Sequence, residues 1–171
     1  MAERALGVSI EEIEKLFDNA REKRYHLHTM MIETHSSEET QALAKKILID
    51  ARERSSGRAS VIALEGELGA GKTTLTQAIA RELGVQDLIK SPTFVLMKQY
   101  TVPGGTLYHL DCYRLKDEKD CETLGLVALF DNPANTLIIE WADRVRNILP
   151  PHRLTVRIDH VHETTRSITI I

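Results

Sequence analysis

Gly66-Glu67-Leu68-Gly69-Ala70-Gly71-Lys72-Thr73 constrains this chain more than any other stretch, because it carries the G-x-x-x-x-G-K-[ST] spacing of a phosphate-binding P-loop. Glycines let the backbone turn so tightly that the N–H groups of Glu67, Leu68, Gly69, Ala70, Gly71, Lys72, Thr73 and Thr74 converge on an anion, and Lys72 then reaches the outer phosphates. The Thr73 hydroxyl is suited to ligate Mg²⁺, and a helix starting there points its positive dipole end at the same anion. Random chains of this length carry the pattern on the order of once in two hundred cases, so the flanking sequence decides. Ser60 to Leu64 is short and apolar, as a buried parallel strand is. Thr74 to Leu83 sets Leu75, Ile79 and Leu83 four apart on one helical face, with Gly84 as a C-cap. Strand, loop and helix follow in the order that nucleotide binding requires, which argues against a glycine-rich turn that binds nothing.

With 171 residues, 42% of them hydrophobic, the chain suits one core better than two. A net charge of −3 provides no general attraction to nucleic acid, so a role linked to RNA needs a local patch or a partner. No apolar stretch reaches the length of a membrane span and no signal-peptide core opens the chain, so a cytoplasmic protein without membrane contact is expected. Cys112 and Cys121 fit neither a C-x-x-C redox motif nor a zinc site and read as reduced thiols.

Residues 1–30 read as an N-terminal extension and 31–171 as the P-loop domain. In the extension, Ser9 and Glu12 form a capping box, and Ile10, Ile13, Leu16, Phe17 and Ala20 recur at helical spacing. That amphipathic helix could pack on the domain, on a second copy of the chain, or on a partner. Tyr25 to Thr34 reads as a strand. His26 with His28, and His160 with His162, form two H-x-H pairs that no carboxylate or cysteine completes, and they read as solvated strand faces. A capping box of Ser36 and Glu39 opens a helix to about Arg54, ended by Ser55-Ser56-Gly57. Phe94 to Met97 reads as a strand that turns through Val102-Pro103-Gly104-Gly105 into a second, Thr106 to Leu110. A charged helix is expected from Asp117 to Leu129, a buried strand from Thr136 to Ile139, a short helix from Ala142 to Leu149, and an antiparallel pair over 153–158 and 165–170.

A P-loop enzyme needs acidic groups at strand ends that face the loop, to hold metal and orient water. Asp111 and Glu140 each end an apolar strand. Either could instead cap the helix or turn after it, although glutamate caps less well than aspartate.

Together Gly66 to Thr74, Ser91-Pro92-Thr93, Tyr108-His109-Leu110-Asp111-Cys112-Tyr113-Arg114-Leu115 and Ile139-Glu140-Trp141 resemble the TsaE (YjeE) family of bacterial ATPases, in order and in spacing, over about residues 31–171. The resemblance implies a P-loop NTPase three-layer α/β fold with a mixed, largely parallel central sheet and antiparallel C-terminal strands. It implies a role in making threonylcarbamoyladenosine beside the tRNA anticodon, with weak, Mg²⁺-dependent ATP hydrolysis and with TsaD and TsaB as partners, tRNA being reached through them. By position, Lys72 and the loop amides would hold the phosphates, and Thr73, Asp111 and Glu140 would be metal partners. Glu140 would also orient water and Thr93 would sense the γ-phosphate. Thr40 falls where family members approach the base, and the role of Trp141 is open. Cys112 replaces a different apolar residue common in the family, and the segment before Met30 has no family counterpart, which leaves self-association through its helix open.

A P-loop small-molecule kinase is the alternative, with Arg144 or Arg146 as the mobile cation, but no lid insertion is evident. A GTP-binding switch would need an Asn-Lys-x-Asp element, which is absent, so adenine is preferred.

Overall fold

β2 (Ser60–Glu65) is buried along all but its last residue, as an apolar run must be when both faces of a sheet are covered. The computed structural model describes residues 29–92, 94–115 and 125–171. In chain order the other strands are β1 (Met30–Thr34), β3 (Met97–Val102), β4 (Gly105–Asp111), β5 (Asn135–Glu140), β6 (Leu154–His160) and β7 (Arg166–Ile170). The helices are α1 (Ser37–Ala42), α2 (Ala44–Ser55), α3 (Lys72–Glu82) and α4 (Leu126–Phe130), with a 3₁₀ segment at Ala142–Ile148. All seven strands form one sheet of order β1-β7-β6-β2-β5-β4-β3. Its centre, β6-β2-β5-β4, is parallel, and antiparallel pairs close both edges.

Alternation along the strands divides the core into two layers. Ile62, Leu64, Leu107, Ile138 and Val156 pack on one face with Leu43, Ile47, Leu75 and Ile79 from the α1–α3 side. Val61, Ala63, Leu110, Leu137 and Ile139 pack on the other with Leu126, Phe130, Val145 and Leu149. This is the three-layer mixed α/β architecture that the motifs imply.

Several local expectations shift. The helix expected from Ser36 to Arg54 divides at Leu43, whose N–H bonds to the Thr40 carbonyl three residues back, a tighter turn that buries Leu43 completely. Ser36 Oγ accepts from Glu39 N–H as a capping box requires, but the Glu39 carboxylate returns to the His35 N–H, one residue before the cap. Phe94 and Val95 are not in a strand. Pro92 starts a turn in which Val95 and Leu96 both donate to its carbonyl, and Phe94 is left 84% exposed, so the strand begins at Met97. Residues 142–148 coil as a 3₁₀ segment kinked at Val145 rather than as an α-helix. Of the helix expected from Asp117, α4 is the part within the described residues. The N-terminal helix, Tyr25 to His28, Thr93 and Cys121 lie outside them.

α3 ends as its sequence indicates. Gly84 takes φ +87, its N–H bonds to Arg81 O, and Val85 N–H bonds to Ala80 O, the paired arrangement of a Schellman cap.

Gly105, where β3 turns into β4, fixes how closely that hairpin approaches the chain entering β5. A Cβ there would lie 1.7 Å from the Ala134 carbonyl oxygen, which also accepts from Thr106 N–H. Gly105→Ala should therefore destabilise the protein by about 3 kcal/mol in urea unfolding. An unchanged midpoint would show that the hairpin yields freely.

Candidate functional site

The parallel register brings the ends of three strands to one place. Asp111 of β4 is paired with Glu140 of β5, and Glu140 with Leu64 of β2, just before the loop at 66–73. The cleft at these ends measures about 420 Å³ and is lined by Leu68, Gly69, Gly71, Lys72, Thr73, Thr74, Ser91, Asp111, Tyr113, Glu140 and Trp141. Ligands of open α/β sheets bind at such carboxyl ends.

Backbone constraints shape the loop. Gly66 takes φ +139, and a Cβ on it would come within 2.2 Å of the Ile158 carbonyl oxygen on β6, so no larger residue fits. Gly71 stands at the N-cap of α3 with φ +114 and has no side chain to offer the helix. The first amides of α3 thus have no side-chain acceptor, whereas Ser36 provides one for α1.

Lys72 is 5% exposed, and its Nζ donates to the carbonyls of Gly66 (2.7 Å) and Glu67 (2.8 Å). The same ammonium lies 3.7 Å from the centroid of the Trp141 ring. Burial pushes Lys72 below the ordinary lysine pKa, against the pull of Glu140 first and then of Asp111, Asp143 and Glu67. Trp141 reaches this place because it turns out of β5 at φ +57, a strained conformation for a side chain other than glycine. Its ring meets that of Tyr113 at 5.0 Å, and the Arg144 guanidinium lies 5.4 and 5.5 Å from the Tyr113 and Trp141 rings.

Glu140 is 2% exposed. A carboxylate so buried needs donors, and it has them: Thr73 Oγ1 donates to Oε2 at 2.8 Å, and Oε1 lies 3.0 Å from Thr76 Oγ1 and 2.8 Å from His109 Nε2. Asp111 caps the turn that follows it, as its position at the strand end allows. Its Oδ1 accepts from Tyr113 N–H at 2.9 Å, capping the turn, and Oδ2 accepts from Ser91 Oγ. Among the described residues no three His, Cys, Asp or Glu side chains converge as a metal site. Two carboxylates and a hydroxyl still suit Mg²⁺, which keeps waters and takes phosphate oxygens to complete its octahedron.

The P-loop residues, Asp111, Glu140 and Trp141 come together, while Thr93 lies outside the described residues. Thr40 is buried and bonded to Thr34 Oγ1 at 2.8 Å. It lines a neighbouring cleft of about 390 Å³ that shares Gly69, Gly71 and Thr74 with the first. Sequence reasoning gave no role to Thr76, Arg166 or His109, although His109 stands in one of the quoted motifs. Arg166, on β7, donates from Nε to the Ala70 carbonyl at 3.0 Å and supports the loop from 96 residues away, so no sequence signal could have found it. Thr76 and His109 had one: each is polar at a position whose periodicity faces the core. Of the arginines considered for a kinase lid, Arg146 is paired with Glu65 at 2.8 Å, and Arg144 belongs to the aromatic stack.

Residues 34–168 match the family model described as threonylcarbamoyl adenosine biosynthesis protein TsaE. The tRNA threonylcarbamoyladenosine biosynthesis protein TsaE of Bacillus subtilis is 39% identical over 136 residues, which is 80% of this chain and 81% of that one. Its Haemophilus influenzae namesake is 39% identical over 114 residues, covering 67% and 71% of the two chains. Among solved structures, the crystal structure of Bacillus subtilis YdiB matches with a TM-score of 0.65 and 31% identity, over 85% of this chain and 86% of that chain.

Proposed function

The chain belongs to the TsaE family, and from that membership we propose that it is the ATP-binding and ATP-hydrolysing component of the tRNA threonylcarbamoyladenosine machinery, acting with TsaD and TsaB. The observation that carries this reading is the 2.8 Å bond from Thr73 to Glu140, which joins the end of the P-loop to an acidic strand end.

In this account the amides of 67–74 and Lys72 bind the phosphates, Lys72 exchanging its two carbonyl partners for phosphate oxygens. Thr73, Asp111 and Glu140 hold Mg²⁺ directly or through water. When bound, the ion neutralises charge that develops on the transferred phosphoryl group. Glu140 orients the attacking water, Thr93 senses the γ-phosphate, and the cleft beside Thr40 takes the nucleoside. Trp141 and Tyr113 wall the first cleft, and the Trp141 ring covers the Lys72 ammonium. The net charge of −3 agrees with tRNA being engaged through the complex rather than by this chain alone. No helix among the described residues is long and apolar enough to cross a membrane, and we place the protein in the cytoplasm, where the tRNA is. Residues 1–29 precede β1 and lie outside the family match, and the helix expected there from the sequence is a candidate surface for self-association.

Capture by a TsaD–TsaB complex should require ATP. We expect the chain to be retained with ATP and Mg²⁺ and lost when nucleotide is omitted. Equal retention without nucleotide, or ATP turnover that depends on a small-molecule phosphoryl acceptor, would contradict the proposal.

A further inference from the structure

His109 occupies an otherwise apolar layer. By alternation it shares its face of β4 with Leu107 and Asp111, and both Leu107 and Ile138, the residue opposite His109 on β5, belong to the core beneath α3. Its ring is fully buried, Nε2 lies 2.8 Å from Glu140 Oε1, and Nδ1 has no hydrogen-bond partner among the described residues. A leucine here would keep the layer apolar and leave no orphaned nitrogen, so packing alone does not account for an imidazole.

We propose that His109 is a positioning residue for hydrolysis: its Nε2–H pins Oε1 of Glu140, which keeps Oε2 turned toward Thr73 and the cleft. The inference rests on the reading of the site as an ATPase. The tautomer is set by the network, since a proton on Nδ1 would be a buried N–H with nothing to accept it. The other two donors are less committed. Thr76 Oγ1 lies 3.0 Å from the Lys72 carbonyl as well as 3.0 Å from Oε1, and its single proton can serve only one of them. Thr73 Oγ1 is itself the proposed metal ligand, so its hold on Oε2 is the contact most open to change during turnover. Among the described residues, His109 is the donor with no competing acceptor.

The test compares His109→Leu and His109→Gln with the wild type, assayed for ATP hydrolysis with TsaD and TsaB present and for thermal unfolding. His109→Leu should lower kcat by about 10- to 100-fold while KM for ATP stays within about threefold, and the unfolding midpoint should fall by a few degrees at most, since the Glu140 carboxylate loses one of its donors. His109→Gln retains a side-chain N–H and should recover most of the rate. A wild-type rate in His109→Leu overturns the inference. So does a loss of rate shared by both variants with midpoints lowered by more than a few degrees, which marks a purely structural role. No hydrolysis by the wild type overturns the ATPase reading, and this inference with it, and is recognised by appearing before any substitution.

Discussion

Lys72→Ala should weaken ATP binding by about a hundredfold or more. A hydrogen bond to a charged partner contributes about 1.5–3 kcal/mol, and a lysine that bridges outer phosphate oxygens makes more than one, so a loss near 3 kcal/mol corresponds to roughly two decades in Kd. Lys72 is already prepared for that exchange. Its ammonium is held over the cleft by two carbonyls and the Trp141 ring, and burial disfavours its charge until an anion arrives. Because the free protein carries that desolvated charge, removing it should leave folding intact, which circular dichroism checks. Trp141 is the chain's single tryptophan, so its fluorescence reports occupancy of the cleft directly. Unchanged affinity in Lys72→Ala would remove the P-loop from the account.

Glu140→Ala should have the opposite signature: ATP binding kept within a few-fold, and hydrolysis reduced by about 10²–10³-fold. Glu140 lies between the P-loop threonine and the core, with Thr73, Thr76 and His109 directed at its two oxygens. Its loss leaves buried donors unpaired, so Glu140→Gln is the control that preserves shape while removing the negative charge. If both variants turn over at the wild-type rate, the water-orienting role is wrong. A matched loss of binding and rate would mean that Glu140 acts on the bound ground state instead.

Local features were the most legible in the sequence. The strand before the loop, the glycine pattern, the helix after it and its Gly84 cap depend on neighbours in the chain, and all four form where the sequence places them. Asp111 and Glu140 were legible as strand ends, but their adjacency comes from β4–β5 register, which spacing alone does not set. Sequence and structure diverge where tertiary contacts override local preference. Phe94 to Met97 has strand composition, yet Pro92 turns it and leaves Phe94 over the Arg114 guanidinium at 4.3 Å. The helix from Ser36 divides so that Leu43 can enter the core. Arg166 and His109 act across the fold, from the last strand and from under α3, and their partners are visible only in three dimensions.

Hydrolysis at this site is proposed to drive tRNA modification. The most direct test is the threonylcarbamoyladenosine content of tRNA, measured by mass spectrometry of digested nucleosides, in bacteria whose own TsaE has been replaced by this chain. The wild-type chain should restore the modification and Glu140→Ala, expressed at the same level, should not. Full modification with Glu140→Ala would contradict the account.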